Sequence, residues 1–466
     1  MLGDTSMRAV SDSDGGDGRS GRGLPLTAAQ LGIWHAQQLD PLNAAFRGGE
    51  YLEIAGPVDA ARLERAVRRV REEAETLRVV VLDGPEGPRQ YVEAAGAWPL
   101  PVVDLRGERD PLAAAERAMR RELATPLEIG APGGGPLFGS ALFVLADDRH
   151  LWFHHYHHLV ADGFTVAAVA RRVAELYNAD GPDGAASGPG FLPLAGLVEA
   201  DADYRASGLL ATDREFWAGR LAGAPAPASL STRPPVPPRE RIRRGVVLDA
   251  AALDRLRDAA YDADVPWPTV VLTAVALYVQ RTAGADEAVL GVPVTTRLGR
   301  LSRSTPGMVS NLLPLRVALR PAMTVGEALL HVAGRLREAM RHQRYRYEDL
   351  RREHGGGPER PLVGPQVNVM AFTDVVTFDG HRATVRNLSI GPTDDFSVVV
   401  HVSPDGGGLH IDLDGNADRY DAAELAAHET RLLHVLEGLA DADGALPTGR
   451  LDVLPPAQRE RALPPA

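Results

Sequence analysis

Two successive series of alternating strand and helix patterns run through this chain of 466 residues. In each half, short apolar runs rich in Val, Leu and Ile alternate with longer segments whose apolar residues recur at helical spacing. The segment after Asp59 is the clearest case, because Leu63, Val67 and Val70 fall on one helical face behind an N-capping Asp. Such alternation is typical of α/β folds. The sequence therefore predicts two similar α/β lobes with a cleft between them.

Composition shifts suggest where these lobes begin and end. Residues 1–23 are polar and rich in Gly, Asp and Ser, which predicts a disordered N-terminal tail. We expect a first lobe over 24–190, which ends in a segment rich in Gly, Asp, Ala and Pro, and a second lobe over 191–450. Residues 451–466 are expected to form a linker-like C-terminal tail. Since the polar N-terminal tail begins with Met, we expect a starter or stand-alone protein.

Residue usage excludes several kinds of chemistry. The chain has no cysteine and no lysine, so its fifty basic residues are all arginine. This excludes a thiolate nucleophile, a Schiff-base lysine, a pyridoxal-phosphate anchor and a Walker A phosphate site. The net charge of −12 argues against a general nucleic-acid binder. No run is long enough to span a membrane and the N-terminus lacks a signal peptide, so we expect a cytoplasmic protein without a membrane partner.

Four imidazoles precede one predicted turn, at His154, His155, His157 and His158. A strand pattern leads into them and a helical pattern follows Gly163, so the last imidazoles lie on a strand-to-helix loop. A neutral imidazole at such a position can transfer a proton near pH 7. We therefore predict an acyl-transfer site built around His158. The simpler alternative is a structural imidazole whose hydrogen bonds are satisfied.

The other histidines receive different interpretations. We expect His157 to orient the loop through hydrogen bonds rather than to take part in chemistry. A four-histidine metal site is disfavoured, because adjacent strand positions such as His154 and His155 point to opposite faces and no carboxylate spacing supports it. The sequence thus predicts no metal site.

The segment 157–163, His-His-Leu-Val-Ala-Asp-Gly, matches the HHxxxDG signature of condensation domains from nonribosomal peptide synthetases. Other parts of the chain resemble motifs of that family in the same order, at residues 26–34, 213–217, 291–297, 306–316, 342–350 and 364–370. Residues 451–461 are similar to the leader that precedes an adenylation domain in these synthetases. The resemblance covers the chain from about residue 24 to its end.

The resemblance implies an α/β fold of two chloramphenicol-acetyltransferase-like lobes, arranged as a V-shaped pseudo-dimer with a central tunnel. It implies that carrier proteins bring thioesters on phosphopantetheine, and that an amine, or less often a hydroxyl, attacks the donor thioester. The chain itself is then expected to bind no cofactor. Two fused lobes also imply a monomer, with an adenylation domain as a neighbour in the synthetase.

The resemblance also implies roles for particular residues. His158 would be the general base or would position the acceptor, and Asp162 would be a buried structural carboxylate paired with Arg297. The simpler alternative for Arg297 is a solvated loop arginine. Gly163 would either offer its backbone N–H to the oxyanion or simply permit the turn. Ser310 and Asn311 would either hydrogen-bond the acceptor or finish a turn. Beside these, Thr165 is expected to cap the helix after the loop, and Trp34 and Trp217 are expected to pack in the core.

Two segments depart from the family pattern. The second motif appears only as Glu75-Thr76-Leu77-Arg78, without the usual His, and the fifth reads Met308-Val309-Ser310-Asn311. The pattern is most similar to first-module, N-acylating or free-standing members. The double-Asp motif of heterocyclising domains is absent, as is the second acid–base segment of epimerising domains.

Two alternative functions stay open. The first is an acyl-CoA-dependent acyltransferase of the same superfamily, which would need no carrier protein. The second is a non-catalytic recruitment or docking module. The intact set of His158, Asp162 and Gly163 argues against the second alternative, because binding alone needs none of them.

Overall fold

The structure of the protein is a computed structural model. It describes residues 23–130, 136–180, 188–355, 361–370, 376–403 and 407–462. Apart from Gly23, the tail expected over 1–23 lies outside the described residues, as do the last four residues of the tail expected over 451–466. None of the helices in the described residues is both long and apolar enough to cross a membrane.

The described residues form thirteen α-helices and fifteen strands. The helices are α1 Ala28–Leu39, α2 Ala60–Glu73, α3 Pro111–Ala124, α4 Gly163–Ala179, α5 Ala195–Ala206, α6 Gly208–Leu221, α7 Ala250–Asp262, α8 Pro268–Ala283, α9 Arg300–Ser304, α10 Val325–Arg341, α11 Tyr347–His354, α12 Ala422–Ala440 and α13 Pro456–Ala462. The strands are β1 Leu24–Pro25, β2 Arg47–Ile54, β3 Val79–Leu82, β4 Arg89–Val92, β5 Val102–Asp104, β6 Phe138–Ala146, β7 Arg149–His157, β8 Arg241–Asp249, β9 Ala288–Val294, β10 Asn311–Val317, β11 Gln366–Met370, β12 Val376–Phe378, β13 His381–Ile390, β14 Phe396–Val402 and β15 Gly408–Asn416.

The chain folds into two compact units. The first unit consists of residues 1–207, 297–310 and 374–391, and the second of residues 208–296, 311–373 and 392–466. The sequence predicts one boundary between residues 190 and 191, whereas each unit in the structure is discontinuous. Two later segments belong to the first unit: residues 297–310, and the segment that supplies β12 and β13 to its sheet.

The first unit is built on a six-stranded sheet in the order β12-β13-β2-β7-β6-β5, beside a small sheet in the order β1-β4-β3. Side chains alternate along β7, so that Trp152 and Tyr156 join the core under α2 and α4, while Phe153 joins the core under α3. Trp34 on α1 also packs in the core under α2 and α4, as expected. The six-stranded sheet is therefore covered by helices on both faces.

The second unit is built on a six-stranded sheet in the order β10-β9-β11-β14-β15-β8. Its main core lies between the sheet and α8, α10 and α12, and α8 is buried along nearly all of its length. Trp217 is fully buried in this core and donates from Nε1 to the backbone oxygen of His342 at 3.0 Å, again as expected for a core aromatic.

Capping residues explain where the helices near the site begin. Thr27 and Gln30 form a reciprocal capping box at the start of α1, and Asp59 caps α2.

The hairpin of β12 and β13 turns at Asp379 and Gly380, whose φ angles are +50° and +79°. Positive φ at both positions is typical of a type I′ turn, for which Asp-Gly is a preferred sequence.

Candidate active site

The HHxxxDG loop, residues 157–163, joins the end of β7 to the start of α4. Hydrogen bonds to neighbouring backbone hold its first half. The His158 backbone N–H donates to the oxygen of Phe46 at 2.9 Å, and the Val160 N–H donates to the oxygen of His157 at 3.0 Å. His158 therefore leaves the sheet at a fixed point, one residue beyond the last strand pairing of β7.

Two side chains from other elements hold the carbonyl groups of this loop. Gln30 on α1 donates from Nε2 to the oxygen of Leu159 at 3.1 Å, and the Thr76 hydroxyl donates to the oxygen of Val160 at 2.5 Å. The sequence did not predict these roles, although Gln30 lies in a segment that resembles a family motif and Thr76 in a segment that departs from one. In particular, the departure in the second motif leaves Thr76 in place to support the loop.

Asp162 closes the loop and is almost fully buried. Its Oδ1 accepts from the Thr165 backbone N–H at 2.9 Å, which makes Asp162 the N-cap of α4. Its Oδ2 accepts from the backbone N–H groups of Val309 and Ser310 at 3.2 Å and 3.1 Å. The Arg297 guanidinium nitrogen Nη2 lies 3.0 Å from both carboxylate oxygens. Since these donors use the carboxylate's acceptor capacity, its geometry suits a structural anchor rather than a base.

Arg297 joins the loop to residues 302–307. Besides Asp162, its guanidinium donates to the backbone oxygens of Ser302, Thr305 and Gly307 and to the Thr165 hydroxyl. From the sequence, Thr165 was expected to cap α4. The structure corrects this: Asp162 is the cap, because it directly precedes the first helical residue and its carboxylate reaches the third backbone N–H.

His157 is a buried imidazole with both ring nitrogens engaged. Nδ1 accepts from the Leu159 backbone N–H at 3.1 Å, so Nε2 carries the proton and donates to Gln37 Oε1 at 3.1 Å. Burial lowers its pKa to about 3, with further contributions from His158 and Arg47. Gln37 in turn donates to the backbone oxygens of residues 40, 41 and 43. This neutral imidazole ties the loop to the end of α1.

His158 is only partly buried, unlike His157. Its ring stands nearly perpendicular to that of Tyr156, with the centroids 5.4 Å apart and an angle of 82°. Gly391, just beyond β13, packs against the edge that carries Nε2. The loop thus presents one accessible imidazole on a rigid base.

The structure gives different roles to the three remaining predicted site residues, Gly163, Ser310 and Asn311. Gly163 is exposed, and its φ is not positive, so the turn itself does not demand glycine. Ser310 holds Asp162 through its backbone, as described above. The buried Asn311 side chain instead donates to the backbone oxygens of Gln343 and Tyr345, at 2.9 Å and 2.7 Å. It also accepts from the Tyr347 N–H at 3.1 Å, and we therefore assign Asn311 to structure.

The two earlier histidines of β7 have separate partners. His154 contacts Glu50 Oε1 through Nε2 at 3.0 Å, whereas His155 Nδ1 accepts from Arg47 at 2.9 Å. Burial holds the pKa of His155 well below its usual value, and the nearby charges of Arg47 and His154 lower it further. Among the residues that the structure describes, no group of three or more His, Asp or Glu side chains could hold a metal ion.

Comparison with known proteins identifies the family. The family model described as the condensation domain matches residues 22–463. The chain belongs to the condensation-domain family. Members of this family are acyltransferases that form amide bonds in nonribosomal peptide synthetases.

Curated relatives of this condensation domain are much longer proteins. The chain is 38% identical over 439 residues to a dimodular nonribosomal peptide synthase of Bacillus subtilis, covering 94% of the chain and 18% of that protein. It is 41% identical over 443 residues to an isonitrile lipopeptide synthase of Streptomyces coeruleorubidus, covering 94% of the chain and 30% of that protein. The chain thus spans less than a third of either relative.

Solved structures of condensation domains share its fold. The starter condensation domain of rhizomide synthetase, in a mutant form bound to C8-CoA and Leu-SNAC, has a TM-score of 0.86 at 36% identity. The match covers 93% of this chain and 98% of that one. The first condensation domain of the CDA synthetase also has a TM-score of 0.86 at 36% identity, covering 93% and 99%. The chain therefore has the two-lobe fold of this family.

Proposed function

We propose that this condensation domain transfers an acyl or aminoacyl group from the phosphopantetheine thioester of a carrier protein to an amine. The amine nitrogen bonds to the thioester carbon, the carbon–sulfur bond breaks, and the carrier is released as a thiol. A hydroxyl acceptor would give an ester by the same route. The observation that carries the proposal is a partly accessible His158 on a loop that Asp162, Arg297 and His157 hold rigid.

His158 is the proposed general base, or positions the attacking amine. An α-amine has a pKa near ~8, so part of it is already a free nucleophile at neutral pH. The base then has to accept the proton that the amine loses as the tetrahedral intermediate forms. Such a group contributes roughly 10²–10⁴-fold to the rate. The neighbouring His157 stays neutral and keeps the loop in register.

Gly163 is the proposed source of an oxyanion contact. It is the first residue of α4, and the backbone N–H groups of a first helical turn lack partners within the helix. A β-carbon at this position would meet no atom within 4 Å, so a thioester carbonyl has room to approach. The positive end of the helix dipole favours the developing negative charge.

We propose a carrier protein as the donor partner and an adenylation domain as a neighbour in a larger synthetase. The support is that the relatives in Bacillus and Streptomyces are synthases several times longer than the chain. Likeness to starter condensation domains supports an N-acylating reaction with an acyl rather than a peptidyl donor. The substrates arrive on phosphopantetheine, and the chain needs no cofactor of its own.

One observation favours a second candidate, an acyl-CoA-dependent acyltransferase. The rhizomide starter domain is bound to C8-CoA in a solved structure. A soluble thioester could therefore replace the carrier in this chain as well. The chemistry at His158 would be the same, and only the thiol product would differ.

The test compares the two thioesters. Purified protein is mixed with an amine acceptor and either a carrier-loaded or a CoA-bound acyl donor, and the amide is measured by mass spectrometry. We expect faster amide formation with the carrier, and a loss of about 10²–10⁴-fold in His158→Ala. His35→Ala, which removes an exposed imidazole on α1, is the matched control and should stay active.

Equal or faster reaction with CoA would favour the second candidate. Wild-type protein that forms no amide yet binds carrier would instead favour a recruitment module.

A further inference from the structure

The end of β13 forms one wall of the space around His158. β13 pairs with β2, and β2 also pairs with β7. In this register Gly48 of β2 lies opposite Ile390 on one side and opposite Tyr156 on the other. Gly391 follows Ile390, and His158 lies two residues beyond Tyr156. The sheet register therefore brings Gly391 beside the imidazole from more than two hundred residues away in sequence.

A side chain at position 391 would meet the imidazole directly. A β-carbon built on Gly391 would lie 2.7 Å from His158 Nε2 and 3.0 Å from Cδ2. The third nearest atom, at 3.8 Å, is also in this ring. Real β-carbons essentially never approach another heavy atom as closely as 2.7 Å, so a methyl group here would displace the imidazole or cover Nε2.

The backbone at this position independently favours glycine. Gly391 has a φ of +106°, a conformation that residues with a β-carbon rarely adopt. Tyr156 also contacts the imidazole, with the two rings nearly perpendicular, and Gly48 leaves room for the Tyr156 ring. The imidazole therefore packs against both an aromatic ring and a stretch of backbone without a side chain.

We infer that Gly391 is a positioning residue for His158: because it has no side chain, the imidazole keeps its orientation and no methyl group lies against Nε2, where the acceptor has to approach. The inference rests on the proposed function, in which His158 handles the proton of the nucleophile, and it assigns that task to Nε2. A base must come within about 3 Å of the proton it takes, so even one methyl group against Nε2 would prevent that contact.

The test uses Gly391→Ala with two readouts. In the condensation assay, we expect kcat to fall by at least about ten-fold while KM changes by less than about two-fold, because the donor and acceptor still bind. Diethyl pyrocarbonate acylates accessible neutral imidazoles, and peptide mass spectrometry follows its reaction at His158. We expect that reaction to slow in the variant. Wild-type rates in both measurements would overturn the inference.

Gly87→Ala is the matched control. Gly87 has a φ of +93°, yet a β-carbon there would meet no atom within 4 Å. It therefore carries a similar backbone penalty without touching the site. We expect Gly87→Ala to keep the kcat and the His158 acylation rate of the wild type. Losses equal to those of Gly391→Ala would mean that backbone strain alone explains the effect.

Thermal unfolding keeps the inference testable if Gly391→Ala is unstable. The fall in Tm caused by Gly391→Ala should be at least about halved in a His158→Ala background, because the clash partner is gone. The fall caused by Gly87→Ala should be equal in both backgrounds. An unchanged fall for Gly391→Ala would refute the contact. These readouts do not depend on catalysis, whereas an active His158→Ala variant would refute the proposed base and leave the contact standing.

Discussion

Each unit contains a buried cluster of aspartate and arginine, and the two clusters are balanced differently. In the first unit, the single Asp162 carboxylate receives Arg297 and three backbone N–H groups. In the second unit, Asp412 and Asp414 share Arg243, which lies 2.6 Å and 2.7 Å from the two Asp414 oxygens but 3.4 Å from Asp412. In the first cluster donors surround a single carboxylate, whereas in the second two carboxylates lie around Arg243, with Arg241 and His410 nearby.

The difference shows what a buried ion pair can do. Removing charges from water is expensive, and the cost is recovered only where hydrogen bonds satisfy every group. Both oxygens of Asp162 are hydrogen-bonded, although the buried Nε of Arg297 has no partner among the described residues, and the carboxylate fixes one geometry for the loop that carries His158. At Asp412, burial raises the pKa and the Asp414 charge adds to the effect, while Arg243, His410 and Arg241 oppose it. The first cluster suits an active site, whereas in the second the burial of Asp412 beside the Asp414 charge lowers the stability of the fold.

The largest expected effect is that of Asp162→Ala. This change leaves the buried Arg297 without its counter-ion and removes the N-cap of α4. We expect the free energy of unfolding to fall by about 3–5 kcal/mol, as for other broken buried ion pairs. Denaturation by urea measures this fall. Asp162→Asn, which keeps a capping side chain, should lose less. A loss below about 1 kcal/mol for Asp162→Ala would mean that this buried cluster stabilises the fold no more than an exposed ion pair does.

Arg297→Lys should have the next largest effect. Lysine keeps the charge, but its single ammonium group cannot reach Asp162 and the backbone oxygens of Thr305 and Gly307 together. We expect a loss of about 2–3 kcal/mol in unfolding free energy and a lower kcat. Arg106→Lys, at an exposed ion pair with Asp104, is the control and should change stability little. Equal losses in the two variants would show that burial of Arg297 is unimportant.

Local patterns in the sequence predicted much of this site. The strand before His158, the helix after it and the cap at Asp59 follow from apolar spacing and from single capping residues. The pairing of Asp162 with Arg297 came from the family resemblance, because no local pattern joins residues 135 positions apart.

The missed parts depend on contacts between distant segments. β13 has polar residues such as Arg386 and Asn387 among its apolar ones, so its alternation is weak. The Asp379-Gly380 dipeptide was the available signal for the hairpin. Even with that hairpin, only the pairing of β13 with β2 reveals that Gly391 reaches His158. The same holds for Gln30 and Thr76, whose partners are loop carbonyls far along the chain.

The buried His157 of the loop and the Asp412 of the second cluster should respond to pH with opposite sign. The pKa of His157 is about 3 in the folded chain, chiefly because of burial, against an ordinary value of 6.5. Between these values the unfolded chain binds more protons, so stability falls as the pH falls below about 6.5, by up to about 1.4 kcal/mol per pH unit. His157→Gln should remove that share of the slope between about pH 5 and pH 6.5. An identical slope in the variant would contradict this prediction.

The smallest expected effect, and the sharpest contrast, is that of Asp412→Asn. A carboxyl whose pKa is raised on folding costs no stability below its unfolded value of 3.8, and the cost grows as the pH rises through the folded pKa. Removing the charge should therefore stabilise the protein at neutral pH by about 1 kcal/mol, the size of one like-charge contact, and have little effect in acid. Asp414→Asn should destabilise it, because Arg243 loses its closest partner. Urea denaturation at acid and neutral pH measures the stability of both variants. If Asp412→Asn lowers stability as much as Asp414→Asn, the two carboxylates share Arg243 equally, and the contrast with Asp162 fails.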